Sequence, residues 1–308
     1  MIENGTSFRM KNNQQKEDYK KISELESTGD FKVLRKLNPP KHYNPPDETD
    51  TKLAIYLDLE TTGLNYKENE IIEIGLIPFE YSVDGRIFKV HDSFNQFQEP
   101  LDPIPDEITK ITGITNNMVR GRQIDKESVK NIVEPASIII AHNANFDRKF
   151  AEIFLNIFAN KPWACSMTQI EWAEEEFDSL KLEYLGMKSG FFYEAHRASN
   201  DCYAGIELLS LQLPKSRQLA LNILLKNARQ STFRIWAEGA PFDLKDLLKL
   251  RGYKWSDGND GQPKSWYKDI PEDSLDSELL YLRSEIFQKD VDIPKIKFDA
   301  FDRFSSRI

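Results

Sequence analysis

Residues 53–63 read Leu-Ala-Ile-Tyr-Leu-Asp-Leu-Glu-Thr-Thr-Gly, an apolar run that ends in two acidic residues and a turn. A short, mostly apolar run of this kind is typical of a strand buried at the centre of a sheet. Because side chains alternate along a strand, Asp58 and Glu60 should leave the same face, with Cα atoms about 7 Å apart. Carboxylates that close repel each other unless they are neutralised, and hard divalent cations prefer such oxygen ligands. The stretch therefore predicts a central strand whose end can hold a cation.

The Asp-x-Glu spacing is weak evidence by itself, because it recurs at Asp125/Glu127 and at Asp276/Glu278. Neither of these pairs follows an apolar strand, and both are typical of a solvated helix face. What distinguishes Asp58 is that it emerges from a buried strand.

The remaining pattern predicts the fold class. Two further strands are predicted at 71–81 and 86–97, joined at Val83-Asp84-Gly85, where Asp-Gly favours a hairpin. A fourth strand is predicted at 137–141. Helices are predicted near 105–111, 125–134, 146–158, 168–176, 180–187 and 199–211. A meander of three strands followed by alternating strands and helices predicts an α/β domain with a mixed central sheet flanked by helices.

Composition divides the chain into three predicted parts. Residues 1–50 are polar and end in two proline pairs, so we expect an arm that is disordered before about residue 20 and docks through 31–37. Residues 51–213 form the sheet domain, and 214–308 a small α+β accessory domain. Within the latter, 215–270 holds eleven Lys/Arg, six Asp/Glu and three of the five tryptophans. This segment is either a track for single-stranded nucleic acid or a small domain with tryptophan in its core.

Composition also excludes several classes of protein. The longest unbroken aliphatic run, Ile138-Ile139-Ile140, is far shorter than the roughly 20 apolar residues of a membrane-spanning helix. No secretory signal is visible, and two cysteines, Cys165 and Cys202, do not make a disulfide scaffold. We expect two buried thiols in a cytoplasmic protein. The net charge of −9 should repel nucleic acid, so binding it would require basic patches or bound metal ions.

Two later stretches combine histidine with aspartate. His142-Asn-Ala-Asn-Phe-Asp147 follows the fourth strand, and His196-Arg-Ala-Ser-Asn-Asp201 opens the last predicted helix of the sheet domain. Each aspartate falls in the first turn of a helix, where the macrodipole favours a carboxylate, so capping is an alternative explanation, with Ser199 as an N-cap. The same His-x4-Asp spacing occurs at His42/Asp47, so the order and context of the motifs decide, not the spacing.

Taken in order, these motifs resemble those of the DEDDh 3′–5′ exonucleases, the family of the epsilon proofreading subunit of bacterial DNA polymerase III. The segments 58–63, 142–147 and 196–201 resemble its three motifs, and Ile111-Thr-Gly-Ile-Thr115 resembles another family segment. Tyrosine-type relatives carry Tyr one turn before the last Asp; position 197 is Arg here, so the histidine type fits.

The resemblance covers roughly residues 51–212. The flanking segments 31–37 and 242–266 resemble a longer epsilon-like subgroup with a C-terminal extension. The resemblance implies a ribonuclease-H-like exonuclease fold. It also implies a metal-dependent 3′–5′ exonuclease that hydrolyses nucleic acid, which we expect to be DNA, to nucleoside monophosphates.

The resemblance further implies the site residues. Asp58, Glu60, Asp147 and Asp201 would hold two divalent ions, Mg²⁺ or Mn²⁺, with Asp58 as the bridging ligand. His196 would accept the proton of the attacking water as general base.

Four residues are expected to contact the substrate by the same resemblance. Thr61 and Thr62 would meet the 3′ hydroxyl, Leu64 would wedge against the last base and Phe146 would stack on it. Core packing is an equally good explanation for Phe146, and an alternative for Leu64.

The expected partners are single-stranded DNA or the 3′ ends of nucleic acid, with a DNA polymerase or sliding clamp as a further candidate and no membrane. Gln218-Leu-Ala-Leu221 weakly resembles a clamp-binding peptide but lies in a helical pattern. Two other functions stay open. One is an RNase of the same superfamily, separated only by contacts to the 2′-OH. The other is a non-catalytic subunit that recruits a polymerase or clamp.

Overall fold

The computed structural model describes the backbone of residues 13–258 and 261–307, with side chains from residue 17 onward. Up to residue 165 its elements are α1 (Asn13–Ser27), β1 (Arg35–Lys36), β2 (Thr51–Thr61), β3 (Ile71–Ser82), β4 (Ile87–Val90), β5 (Phe94–Phe97), α2 (Asp106–Thr112), α3 (Asn116–Val119), α4 (Lys126–Val133), β6 (Ile138–Ala141), α5 (Ala144–Phe154) and β7 (Trp163–Cys165).

The later elements are α6 (Leu182–Lys188), β8 (Phe191–Phe192), α7 (Ala198–Ser210), α8 (Ala220–Arg229), β9 (Thr232–Ala237), α9 (Lys245–Leu250), β10 (Lys254–Trp255), β11 (Trp266–Pro271), α10 (Leu275–Tyr281) and β12 (Lys295–Phe298). Three short 3₁₀ segments and one π-helical segment complete the list: Asn156–Asn160, Phe242–Leu244, Glu272–Ser274 and, as the π-helix, Leu282–Phe287.

The first sheet is mixed, as predicted. Its order is β4-β3-β2-β6-β7, and β5 pairs with β3 beside β4. The strands β2, β3, β4 and β5 pair antiparallel, whereas β2, β6 and β7 pair parallel. The carboxyl end of β2 therefore lies beside the carboxyl end of β6, which brings the residues that follow each strand to one edge of the sheet.

The central strand β2 is buried on both faces. Ala54 and Tyr56 point into the core beneath α7 and α8, and Ile55 and Leu57 into the core beneath α4 and α5. All four side chains are fully buried. The apolar run of this strand is thus explained by helices that cover the sheet on both sides.

Some local predictions are wrong. The predicted strand 86–97 is broken into β4 and β5, and the predicted helix 168–176 is a series of turns. In those turns the indole N–H of Trp172 donates to the Ser166 carbonyl over 2.7 Å, and the ring is buried. Tertiary packing therefore overrides the helix propensity of this segment. Ser199 is not the N-cap of α7, because the helix already begins at Ala198.

The N-terminal arm docks on the first sheet domain. β1 pairs in parallel with β8, and the backbone N–H of Leu37 donates to the Phe192 carbonyl over 2.8 Å. The Tyr43 hydroxyl donates to the Glu207 carboxylate on α7 over 2.7 Å. The expected disorder before about residue 20 concerns chiefly residues outside the described ones; the backbone is helical from Asn13.

A second sheet is formed by the C-terminal part of the chain. Its four strands pair antiparallel in the order β10-β11-β9-β12, and one face packs on α9, α10 and the π-helical segment through a separate apolar core. This is the predicted small α+β unit. The helix α8 instead contributes Leu221 and Leu224 to the core of the first sheet. The division of the chain at residue 213 stays a prediction.

Two buried arginines connect the unit that contains the second sheet (the second unit) to the unit built on the first sheet (the first unit). Arg148 on α5 donates to the carbonyl oxygens of Ala300, Phe301 and Arg303. Arg303 in turn donates to the carbonyls of Ala228 and Gln230, at the end of α8. The segment that follows β12 therefore returns to the first unit.

Cys165 and Cys202 are buried free thiols, as predicted. Among the described residues, no helix combines the length and apolar character that crossing a bilayer requires.

Candidate active site

The site begins at the carboxyl end of β2, where Asp58 and Glu60 leave the same face of the strand. Across the antiparallel pair, Asp58 lies opposite Gly75 and Glu60 lies opposite Glu73. The register shifts after Glu60, where the strand ends and turns. The spacing of the two acids therefore has the consequence that strand alternation predicts.

Gly75 allows the last helix of the first unit to approach this face. A Cβ at Gly75 would lie 2.7 Å from the carbonyl carbon of Ala198, closer than real Cβ contacts allow, so a side chain there would push away the start of α7. The first turn of α7 carries Asp201. This close approach places Asp201 next to Asp58.

Three of the predicted metal ligands form one cluster. Carboxylate oxygens of Asp58, Glu60 and Asp201 all lie within 4.8 Å of one another. Asp58 and Glu60 are partly buried, and Asp201 is buried. Segments more than a hundred residues apart in sequence thus meet at one point, as the resemblance to the exonuclease family implies.

Asp147, the fourth predicted ligand, lies in the first turn of α5, directly after β6. It is buried and falls outside the three-residue cluster, yet its charge acts on both Asp58 and Glu60. The parallel pairing of β6 with β2 explains this proximity.

The carboxyls of the site resist ionisation. Burial, and then repulsion by Asp201 and other acids, raises the pKa of Asp58 well above its usual range and that of Glu60 to about 8. Burial raises the pKa of Asp147 to about 8, against backbone hydrogen bonds that lower it. Burial also raises the pKa of Asp201. Burial is the largest cause of all four shifts, and repulsion among the acids adds to it at Asp58 and Glu60.

Asp201 is held by hydrogen bonds on both of its carboxylate oxygens. The Tyr193 hydroxyl donates to Oδ1 over 2.9 Å, and the backbone N–H of Arg197 donates to Oδ2 over 3.0 Å. These bonds fix the carboxylate in position while leaving it close to Asp58 and Glu60. Sequence reasoning missed Tyr193, since nothing in its spacing from Asp201 indicates a contact.

His196 precedes α7 in an unusual backbone conformation. Its φ is +61°, a left-handed value that non-glycine residues seldom adopt and that often marks a functional position. The side chain is exposed, and its charge lowers the pKa of the neighbouring Asp201. The imidazole is therefore at the edge of the carboxylate cluster and accessible to solvent.

Glu73 and Arg197 are further residues that sequence reasoning did not find. Glu73 is fully buried on β3 and accepts two hydrogen bonds from the Arg197 guanidinium, at 2.9 and 3.3 Å. It also accepts from the backbone N–H of Ala198 and the side-chain amide of Asn95. Glu73 thus anchors the segment that leads from His196 into α7. The available signal was an acid placed between two isoleucines, Ile72 and Ile74, of a predicted strand.

His142 in the second motif has a structural role. Its ring nitrogens lie 3.0 Å from the Ser166 hydroxyl and 2.6 Å from the Leu180 carbonyl. Burial lowers its pKa to about 4, so the ring is neutral at physiological pH. It braces β6 against the turns after β7.

The four predicted substrate residues differ in their surroundings. The Thr61 hydroxyl donates to the Gly63 carbonyl, and the Thr62 hydroxyl accepts from the Glu70 amide, so both threonines shape the loop after β2. Leu64 is 85% exposed beside it, which excludes core packing for this residue. Phe146 packs on the core next to Phe150, with ring centroids 4.9 Å apart.

Two other predicted segments are structural. Ile111–Thr115 ends α2 and begins α3, with Gly113 in a left-handed conformation and Ile114 in a small core. In the segment 218–221, Leu221 is fully buried and is therefore unable to insert into a clamp.

The carboxylate cluster fits a divalent cation. Its donors are all hard oxygen atoms, which suit Mg²⁺ and Mn²⁺ rather than softer metals. Burial and mutual repulsion raise the pKa values of Asp58 and Glu60, so the ionised carboxylates are disfavoured in the metal-free protein. A bound cation would supply the missing charge.

Comparison with known proteins agrees with this description. A family model described as Exonuclease matches residues 55–209. The DNA polymerase III subunit epsilon of Treponema pallidum is 30% identical over 165 residues, which are 51% of this chain and 74% of that protein. The PolC-type DNA polymerase III of Clostridium perfringens is 31% identical over 170 residues, 53% of this chain but only 11% of that polymerase.

Two solved structures are also similar. Exonuclease X in complex with 5′ overhanging duplex DNA has 23% identity and a TM-score of 0.37, covering 56% of this chain and 91% of that one. Exonuclease I of E. coli in complex with an oligonucleotide has 15% identity and a TM-score of 0.46, covering 71% and 63%. The family match and the strand order together confirm the predicted ribonuclease-H-like exonuclease fold.

Proposed function

This chain belongs to the exonuclease family, and from that premise we propose that it removes nucleotides one at a time from the 3′ end of DNA by metal-dependent hydrolysis. The observation that carries the proposal is the convergence of Asp58, Glu60 and Asp201 within 4.8 Å, with Asp147 beside them. The likeness to a DNA polymerase III epsilon subunit supports the choice of DNA and of a polymerase as partner.

The carboxylates would hold the cofactor. Asp58, Glu60, Asp147 and Asp201 are the ligands we assign to two Mg²⁺ or Mn²⁺ ions, with Asp58 as the bridging ligand because the charges of the other three all act on it. When bound, the ions would offset the acidic charge, make water a better nucleophile and stabilise the leaving 3′ oxygen.

The remaining residues would position the reactants. His196, solvent-accessible at the edge of the cluster, would accept the proton of the attacking water. The loop after β2, shaped by Thr61 and Thr62, would receive the terminal nucleotide. Leu64 would press against the last base, and Phe146 would support it from the core side.

The test is degradation of 5′-labelled single-stranded DNA with Mg²⁺. We expect a ladder that shortens by one nucleotide at a time, and no reaction with EDTA or when the 3′-terminal linkage is a phosphorothioate. Asp201→Asn should abolish the ladder, whereas Asp47→Asn, from the motif with the same spacing, should leave it intact. His196→Gln should lower kcat by about 10²–10⁴-fold, and His42→Gln should not.

The outcomes separate the alternatives. An intact substrate under all conditions would contradict the proposal and favour a non-catalytic binding subunit. Faster hydrolysis of a matched RNA oligonucleotide would assign the enzyme to RNA instead.

A further inference from the structure

The N-terminal arm is hydrogen-bonded to the segment that leads into Tyr193. In the parallel pair of β1 and β8, the backbone N–H of Arg35 donates to the Gly190 carbonyl over 3.1 Å. The backbone N–H of Leu37 donates to the Phe192 carbonyl over 2.8 Å. Tyr193 follows directly after β8, so the arm fixes the backbone up to the residue before it.

The side chain of Tyr193 reaches the acidic cluster. Its hydroxyl donates to Oδ1 of Asp201 over 2.9 Å. Carboxylate oxygens of Asp201, Asp58 and Glu60 lie within 4.8 Å of one another. A single tyrosine thus connects the strand that the arm holds to a proposed metal ligand.

Two donors together determine how the Asp201 carboxylate is turned. The backbone N–H of Arg197 donates to Oδ2 over 3.0 Å, and this bond lies at the start of α7 and does not involve the arm. Rotation of an aspartate carboxylate about its last side-chain torsion has only broad preferences, so one bond leaves its plane poorly defined. The second bond, from Tyr193 to the other oxygen, defines that plane.

Close packing does not hold the Tyr193 ring on every side. A cavity of about 370 Å³ lies between the arm, β4 and α7. Leu37, Pro39 and Pro40 of the arm line it together with Tyr193 and Tyr203. Because the Tyr193 ring borders this cavity, contacts with neighbouring atoms restrict it less there. Its position therefore depends on the backbone of β8, which the arm holds.

The arm also contacts both segments that the Tyr193 bond joins. The ammonium group of Lys36 lies 3.3 Å from the carboxylate of Glu194, directly after Tyr193. The Tyr43 hydroxyl donates to Glu207 on α7 over 2.7 Å, in a less exposed contact. The arm is thus bound to the loop before α7 and to α7 itself, the helix that carries Asp201.

We propose that Tyr193 is a positioning residue for Asp201 and that the arm sets its place through β8. The inference rests on the proposed function, because it concerns the orientation of a residue assigned there as a metal ligand. Residues that orient metal ligands by hydrogen bonds typically change metal affinity by about 10–100-fold. The arm would then be part of the working site, although it lies outside the segment that the family model matches.

The test is isothermal titration calorimetry of Mn²⁺ into the full-length protein without DNA. We expect Tyr193→Phe, which deletes only the hydroxyl, to weaken Mn²⁺ binding about tenfold. On 5′-labelled DNA this variant should need about tenfold more Mn²⁺ for its half-maximal rate, and saturating Mn²⁺ should restore most of kcat. Damage to the fold would instead lower kcat at every Mn²⁺ concentration.

The matched control is Tyr184→Phe, since the Tyr184 hydroxyl donates to another aspartate, Asp178, over 3.1 Å and outside the acidic cluster. It should bind Mn²⁺ like the unmodified protein. If Tyr193→Phe binds Mn²⁺ within twofold of this control, the proposal is wrong. Failure of the proposed function would appear separately, as intact DNA when the unmodified protein has bound Mn²⁺.

The contribution of the arm is tested at Leu37. Leu37→Pro deletes the N–H that donates to Phe192, whereas Leu37→Ala shortens the same side chain and keeps that donor. We expect Leu37→Pro to bind Mn²⁺ about threefold more weakly than Leu37→Ala, as the loss of one hydrogen bond should allow. In a protein that already carries Tyr193→Phe, Leu37→Pro should have no further effect, because the arm acts through that hydroxyl. An equal further loss in the combined variant would overturn the proposal.

Discussion

Two glutamates face each other across β2 and β3, and the fold treats them in opposite ways. Glu73 is fully buried but accepts hydrogen bonds from Arg197, Ala198 and Asn95. Glu60, its cross-strand partner, is less buried but shares its surroundings with two other carboxylates. The pKa of Glu60 rises to about 8, chiefly because of burial and the charge of Asp201.

The contrast shows that this fold can pair a buried carboxylate with a counterion, as it does with Arg197 at Glu73. Burying a carboxylate without a partner is expensive, and Arg197 removes that cost at Glu73. The same arginine lowers the pKa of Glu60 only as a minor influence. The charge left unbalanced at Asp58, Glu60 and Asp201 is therefore a local property of the site, and it is the property that a metal ion would use.

The largest expected effect is a loss of activity when a carboxylate of the acidic cluster, rather than Glu73, is replaced. Asp58→Asn should lower kcat at least about 10³-fold, because metal ions supply several kcal/mol of transition-state stabilisation and each ~1.4 kcal/mol is tenfold in rate. It should also raise the unfolding temperature of the metal-free protein, since it removes one of several repelling charges. Single-turnover kinetics and thermal unfolding in EDTA measure both.

The control is Asp276→Asn, an exposed aspartate in one of the two Asp-x-Glu pairs that do not follow an apolar strand. It should change neither activity nor stability appreciably. A metal-free Asp58→Asn protein that is less stable than the original would break the comparison, because Asp58 would then be a satisfied acid like Glu73.

A smaller effect is expected at the balanced glutamate. Glu73→Gln should lower the free energy of unfolding by about 1–3 kcal/mol, since it leaves the guanidinium of Arg197 without its carboxylate. The activity should fall only about tenfold, as for residues that orient metal ligands from outside. Urea unfolding and steady-state kinetics provide the two values.

Glu80→Gln is the matched substitution on the same strand, where the glutamate pairs with His91 and both side chains are partly exposed. It should cost little, because exposed pairs contribute about 0–1 kcal/mol. Equal losses of stability for Glu73→Gln and Glu80→Gln would mean that the buried pair has no special role.

The last expected effect is on stability alone, as a pH dependence. The pKa values of Glu60 and Asp147 rise from 4.5 and 3.8 to about 8 on folding, so the folded protein binds more protons than the unfolded chain between those limits. Stability of the metal-free protein is then highest below about pH 4 for these groups and falls as pH rises towards 8. The unfolding temperature in EDTA should drop by several degrees between about pH 5 and about pH 8.

Mg²⁺ should reverse this drop at the higher pH, where the carboxylates are ionised and can bind it. Asp201→Asn, with fewer acids in the cluster, should show a shallower dependence. A metal-free protein whose stability rises from pH 5 to pH 8 would mean that the cluster is already balanced by groups of the protein.

Local patterns in the sequence were sufficient for the central strand and the mixed sheet, through a buried apolar run and strand alternation. The convergence of Asp58, Glu60 and Asp201 was expected only from the resemblance to the exonuclease family. The roles of the individual site residues stay predictions.

What sequence reasoning missed depends on contacts between distant segments. Tyr193, Glu73 and Arg197 act through hydrogen bonds whose partners no spacing reveals. The short strand β7 and the turns that replace a predicted helix at 168–176 are fixed by tryptophan packing. Such features follow from the assembled core and not from local periodicity.

The hydrogen bonds of Arg148 limit where the chain can be truncated without harm to the acidic site. Arg148 is completely buried, immediately follows Asp147 and depends on three carbonyl oxygens near the far end of the chain. A fragment that ends at the boundary of the family match would leave the buried Arg148 guanidinium without its carbonyl acceptors. This unpaired charge would lie one residue from Asp147. The first unit therefore depends on hydrogen bonds to a segment about 150 residues downstream. We expect proteolysis of that segment to abolish the proposed activity although every proposed site residue is retained.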